Sequence, residues 1–198
     1  MKKVLVSLLA VSGASMAAAV EKPFTAEVLL GNTDQSISFN NIDDASDSSL
    51  AIRFGYEFLD TWSAEVAYYD YGEASSNFID SDNDTGQDTR SVSSFSVGIK
   101  KEIELNEKLS LNARLGLMFW DLDFERGYDV QSVDDLYNYK SSDSGNNLYY
   151  GASLGYSIKE NLLLSVDYSF VSMEVDLKNN PTVDNDMSTL SIGLGYQF

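Results

Sequence analysis

The sequence predicts an all-β chain closed into an eight-stranded antiparallel up-and-down transmembrane β-barrel, and three observations carry that expectation. Eight segments alternate large apolar with small or polar residues at a strict period of two. The links between them alternate short and long. The small-residue faces hold nearly balanced charges, while the large-residue faces hold none. A soluble sheet would turn its bulky face inward and show water a face rich in Lys and Glu. Here the second face is mostly Gly, Ser and Thr, which suits a cramped polar interior, so the bulky face is assigned to lipid.

The segments follow in chain order. In the first, Phe24, Ala26, Val28 and Leu30 alternate with Thr25, Glu27, Leu29 and Gly31. In the second, Leu50, Ile52, Phe54, Tyr56 and Phe58 alternate with Ala51, Arg53, Gly55 and Glu57. The third sets Trp62, Ala64, Val66 and Tyr68 against Ser63, Glu65, Ala67 and Tyr69. The fourth sets Ser93, Phe95, Val97 and Ile99 against Ser94, Ser96, Gly98 and Lys100. The fifth runs from Leu109 to Phe119 with Ser110, Asn112, Arg114, Gly116 and Met118 on its other face. The sixth has Tyr150, Ala152, Leu154, Tyr156 and Ile158 outward, and the seventh has Leu162, Leu164, Val166, Tyr168 and Phe170 outward around Asp167. The last, "TLSIGLGYQF", has Leu190, Ile192, Leu194, Tyr196 and Phe198 on one face and Thr189, Ser191, Gly193, Gly195 and Gln197 on the other. Segments of about nine to twelve residues cross a bilayer when tilted.

The short links are "LDTW", "KEIELNEK" and "KEN". The long ones span about Thr33 to Ser48, Gly72 to Arg90, Asp123 to Asn147 and Ser172 to Asp186, and are read as loops at the opposite end. Closure of the first segment onto the last removes the unpaired edges that hydrocarbon does not tolerate. Aromatic residues gather at the two ends of the outward faces. Phe24, Phe58, Trp62, Tyr156, Tyr196 and Phe198 mark the short-turn end, and Tyr68, Phe95, Phe119, Tyr150, Tyr168 and Phe170 the long-loop end. Two aromatic belts are what the two bilayer interfaces favour.

The amino-terminal stretch has a basic start at Lys2 and Lys3, an apolar run from Val4 to Val11, and small residues ending at Ala17 and Ala19. It reads as a secretory signal peptide, 1–19, leaving 20–198 as one barrel domain. The run is too short for a spanning helix. The formal charge is −18, and loss of Lys2 and Lys3 with the leader takes it to −20. Nucleic acid is thereby excluded as a partner. The four long links carry −4, −4, −4 and −3 of that charge, concentrating a negative field at one end that favours basic partners. Tyr128, Tyr137 and Tyr139 would add contact surface there.

Glu27, Arg53, Glu57, Glu65, Lys100, Arg114 and Asp167 are expected to meet inside as an ion-paired plug, because eight strands leave room only for side chains. No cysteine and no histidine is present, which removes thiolate chemistry and any Ser–His or Asp–His arrangement. "DSDNDTGQD" places Asp80, Asp82 and Asp84 at calcium-loop spacing. Thr85 and Ser91 stand where such a loop needs Gly and Glu, and the match fails. No cofactor and no metal site is expected.

The signal peptide, the eight alternating segments, the alternating link lengths and the terminal "GLGYQF" together resemble the small outer-membrane β-barrel proteins, of the outer-membrane protein A transmembrane-domain and OmpX type. The resemblance covers the whole chain after the leader and rests on pattern. It implies residence in the outer membrane among lipid and lipopolysaccharide, a monomer, and recognition of Leu194, Tyr196 and Phe198 by the barrel-assembly machinery. Enzymes of this class resemble one another in using an active-site histidine, so a non-enzymatic structural or adhesive scaffold is the expected function, with a basic or host-surface partner for the acidic loops. Two other readings stay open: a narrow channel for small solutes or ions, and a soluble lipocalin-like ligand binder.

Overall fold

The protein is described by a computed structural model covering residues 23–37, 44–79, 85–129, 136–175 and 183–198. The expected leader lies outside these residues. Eight strands follow in order: β1 (Phe24–Ile37), β2 (Ala45–Leu59), β3 (Trp62–Ile79), β4 (Thr85–Glu104), β5 (Leu109–Asp129), β6 (Leu136–Lys159), β7 (Leu162–Val175) and β8 (Val183–Gln197). Each pairs antiparallel with its chain neighbour, and β1 pairs with β8 from Thr25↔Gln197 to Ile37↔Asn185, closing the barrel. Phe24 and Phe198 exchange backbone hydrogen bonds of 3.1 and 2.8 Å at that closure. The soluble reading fails on orientation: Leu30, Leu115, Leu154, Ile192 and the other bulky residues of the alternating segments point away from the barrel axis and are exposed.

The strands run well past the expected segments. The four stretches read as long loops are largely strand, β5 continuing to Asp129 and β6 beginning at Leu136. On β5, β7 and β8 the period of two continues without a break; the two faces exchange polarity. On β5 the outward row runs Leu111, Ala113, Leu115, Leu117, Phe119, then Asp121, Asp123, Glu125. Its inward row runs Ser110, Asn112, Arg114, Gly116, Met118, then Trp120, Leu122, Phe124. β7 makes the same exchange after Phe170, with Ser172 and Glu174 outward and Val171, Met173 and Val175 buried. β8 shows it too: Asp184, Asp186 and Ser188 precede Leu190 on the outer face. The outer wall is therefore an apolar band below an acidic collar. The interior is polar within the band; within the collar it mixes an apolar cluster of Tyr71, Val92, Trp120, Leu122, Phe124, Met173, Val175 and Met187 with the buried polar side chains of Gln35, Asp88, Arg90 and Asn185.

The collar is also where the barrel divides. The β2–β3 ladder stops at Leu50↔Asp70, and the β6–β7 ladder stops at Tyr149↔Val171. The β3–β4 and β5–β6 ladders continue to Ile79↔Thr85 and Asp129↔Leu136. The β7–β8 and β1–β2 ladders continue to Val175↔Val183 and Gln35↔Ala45. Two four-stranded sheets, β3–β4–β5–β6 and β7–β8–β1–β2, thus extend beyond the closed cylinder around a shared apolar core. That core supplies what a two-sheet layer needs to stand in water.

Candidate functional site

Period-two geometry turns Glu27, Arg53, Glu65, Arg114 and Asp167 inward from five different strands, and all five are buried. Register then decides who meets whom. Glu27 stands directly opposite Arg53, whose Nη1 donates to Glu27 Oε2 at 2.9 Å. The same Nη1 donates to Asp167 Oδ2 at 3.3 Å, and Nη2 donates to the Tyr69 hydroxyl at 2.6 Å. Arg114 donates from Nε to Glu65 Oε2 at 2.9 Å, and from Nη1 to Asp167 Oδ2 and Ser153 Oγ, both at 2.7 Å. Ser165 donates to Glu27 Oε1. Each guanidinium is held by two carboxylates and a hydroxyl, which is what makes a buried charge tolerable.

Two expected members stand apart. Lys100 is directly opposite Arg114, a like charge, and its ammonium is 3.5 Å from Glu102. Glu57 lies one strand-end away at the β2–β3 turn, half-buried, where Oε1 accepts the Thr61 N–H at 3.2 Å. Thr61 has a left-handed backbone, φ 68°, and that turn contact helps hold it. Alternation gives the face of a residue; its height along the axis depends on register.

The network is fitted by small neighbours. A Cβ on Gly193 would run into the Ser165 hydroxyl and the Glu27 carboxylate. Gly98 faces Gly116 across β4–β5, and Tyr149 lies over both: Cβ atoms there would sit 2.7 Å from its hydroxyl and 2.6 Å from its ring. Small spaces remain on each side of the plug. One is lined by Glu27, Arg53, Glu65, Lys100 and Arg114, the other by Tyr69, Tyr71, Met118, Tyr149 and Met187.

On the outside, Phe24, Phe58, Tyr156, Leu194, Tyr196 and Phe198 are exposed at the turn end, where the Phe24 ring is 5.1 Å from Tyr56 and 5.9 Å from Phe198. Trp62 is half-buried beneath Lys101, whose Nζ is 5.0 Å from its ring centre. At the upper edge of the apolar band Tyr68, Phe95 and Phe119 are aligned across three strands, and Tyr150 packs on Phe170 at 5.2 Å. Tyr168 is exposed on β7.

The collar holds features that the sequence reading missed. Asp47 Oδ2 accepts the Glu73 N–H and its Oδ1 the Ser48 N–H, both at 2.7 Å. These backbone donors, Glu73 first, hold the Asp47 carboxyl below its ordinary pKa. The contact stitches β2 to β3 beside the register shift between Asp70 and Glu73, where Gly72 takes φ 76°. Inside, Arg126 grips Asp88 with two bonds of 2.6 Å. Tyr139, expected as contact surface, turns inward against Phe124 at 6.5 Å. The side chains of Tyr128 and Tyr137, and Asp43, Asp80, Asp82, Asp84, Asp134, Asp135 and Asp176, lie outside the described residues. Among the described residues no group of carboxylates is arranged to hold a metal ion.

The family model of the outer membrane protein β-barrel domain matches residues 4–198. Among solved structures the chain resembles Neisserial surface protein A, at 15% identity over 88% of this chain and 97% of that one, with a TM-score of 0.62. It resembles OprG of Pseudomonas aeruginosa at 14% identity, 89% and 97% coverage and a TM-score of 0.59. It also resembles the outer membrane protease OmpT of Escherichia coli at 13% identity, 93% and 99% coverage and a TM-score of 0.50. At these identities the likeness is one of fold. No curated protein matches the chain. With the closed eight-stranded barrel, its apolar band and the family match together, the chain belongs to the outer membrane protein β-barrel domain family.

Proposed function

We propose that this protein is a non-enzymatic scaffold whose acidic collar, outside the outer membrane, recognises a basic partner at the cell surface. The observation that carries the reading is the polarity exchange on the strands. Asp121, Asp123 and Glu125 continue the outward row of Leu115, Leu117 and Phe119 on one rigid strand, so the negative surface is built on the barrel wall. Recognition residues on a rigid frame lose little entropy on binding. A non-catalytic role is supported by the chemistry of the interior: the hydroxyls of Ser165, Ser153 and Tyr69 are committed to Glu27, Arg114 and Arg53, and the chain contains no histidine to act as base. The reading extends to a monomer in lipid and lipopolysaccharide, assembled through Leu194, Tyr196 and Phe198. Adhesion of bacteria displaying the protein to cultured epithelial cells tests it. Neutralising Asp121, Asp123 and Glu125 together is expected to abolish the adhesion that the unaltered protein confers; equal adhesion by both contradicts it.

A narrow channel is the second reading, favoured by the small spaces above and below the plug. Planar-bilayer recording separates the two. Steady unitary conductance supports the channel, and an electrically silent bilayer containing inserted protein supports the scaffold.

A further inference from the structure

We infer that Gln35 and Asn185 form a buried site for one hydroxylic ligand of water size, held between β1 and β8 at the top of the seam that closes the barrel. Both side chains are 0% exposed. Among the described residues, neither amide oxygen and neither amide nitrogen of the two has a hydrogen-bond partner. Asn112, by contrast, gives its amide N–H to Ser153 Oγ at 3.3 Å. An amide buried without a partner is costly, and buried polar groups are nearly always bonded to protein or to ordered water. Register brings the pair together. Gln35 is directly opposite Met187 and Asn185 directly opposite Ile37, so the two amides are diagonal neighbours on adjacent strands. Diagonal positions stand about 7 Å apart, and two amides reaching toward each other leave a gap that a single oxygen bridges.

The flanking side chains offer these amides little else. Across from Gln35 stand Met187 on β8 and Ala45 on β2, and across from Asn185 stands Met173 on β7, all buried. The next hydroxyls down the seam, Thr33 and Thr189, are bonded to each other at 2.8 Å. The orphaned groups themselves select the ligand. An anion would answer only the N–H groups and a cation only the carbonyl oxygens. A hydroxyl donates and accepts through one oxygen, so it answers both. Complete burial of both amides limits the occupant to about the size of water, which typically keeps about three protein partners when internal. The site then continues the clasp begun by Thr33 and Thr189, tying β1 to β8 where the seam runs up between apolar neighbours.

The probe is water itself, and the test is independent of cell adhesion. Cross-relaxation between water and the side-chain amide protons of Gln35 and Asn185 is recorded by NMR on the full chain in lipid nanodiscs. Both amides are expected to show water cross-peaks with the sign of a long-lived contact. Asn185→Leu, close in volume, is expected to weaken the peak at Gln35, and Gln35→Met the peak at Asn185. Absence of a water peak at both amides of the unaltered protein overturns the proposal, and so does a direct cross-peak between the two amides in its place. A Gln35 peak unchanged by Asn185→Leu also overturns it, because the water is then not shared. The unaltered protein decides the matter even where a variant does not fold.

Discussion

Asp167 Oδ2 lies 2.7 Å from Arg114 Nη1, tying β7 to β5 through the middle of the barrel. The same oxygen is 3.3 Å from Arg53 Nη1, so one carboxylate serves the guanidiniums of both Arg53 and Arg114. Removing Arg114 leaves Glu65 without its ion-pair partner and takes one of two cations from Asp167. A buried charge stripped of its partner costs roughly 3–5 kcal/mol. Arg114→Ala is expected to lower the urea midpoint in detergent micelles by more than any single substitution of an exposed acid of the collar. Equal midpoints for the variant and the unaltered protein contradict the plug.

Gly193 and Gly55 both face the barrel interior, and their substitutions separate packing from conformational preference. A methyl on Gly193 meets Ser165 and Glu27, whereas one on Gly55 comes no closer than 3.7 Å, to Thr25. Gly193→Ala is expected to cost about 1–3 kcal/mol by overpacking. Gly55→Ala is expected to be neutral or mildly stabilising, read in the same titration.

Asp47 gives the collar a pH dependence. Its carboxyl is depressed by the Glu73 and Ser48 N–H groups. A depressed carboxyl stabilises the folded state fully above its ordinary pKa, near 3.9, and that contribution is lost as pH falls through the lowered value. The Glu73 amide is therefore expected to lose its hydrogen bond, seen by amide proton NMR, only below the ordinary carboxylate range. Asp47→Asn is expected to remove this pH dependence.

Leu122 tests the apolar interior of the collar. It is 2% exposed among Trp120, Phe124 and Val92. Leu122→Ala is expected to cost about 2–5 kcal/mol. The loss should appear as faster amide exchange of the upper parts of β5 and β6, with the band around Arg114 unaffected.

The band was legible because its alternation and its polarity agree: Arg114 between Ala113 and Leu115 has a clear inside and outside. The collar was not. In "FWDLDFE" the alternation is unbroken, yet Asp121 occupies the face that Phe119 held. A reading that takes bulky residues as outward ends the strand there, whereas the solvent outside changes from lipid to water and the same rule of burial selects the opposite face. Glu57 and Arg114 look alike by period and differ in height, which only register fixes. Asp47 was illegible as a stitch because its partner is a backbone N–H on β3, beyond the point where the β2–β3 ladder stops.

The central claim is that exchange of faces, and site-directed spin labelling reads it directly, since the chain has no native cysteine to compete for label. Single cysteines replace Leu115, Leu117, Asp123 and Glu125 in lipid nanodiscs, and collisions with oxygen and with a water-soluble nickel chelate are compared. The account predicts that labels at 115 and 117 favour oxygen and those at 123 and 125 favour nickel. Nickel preference at 115 and 117 would contradict it.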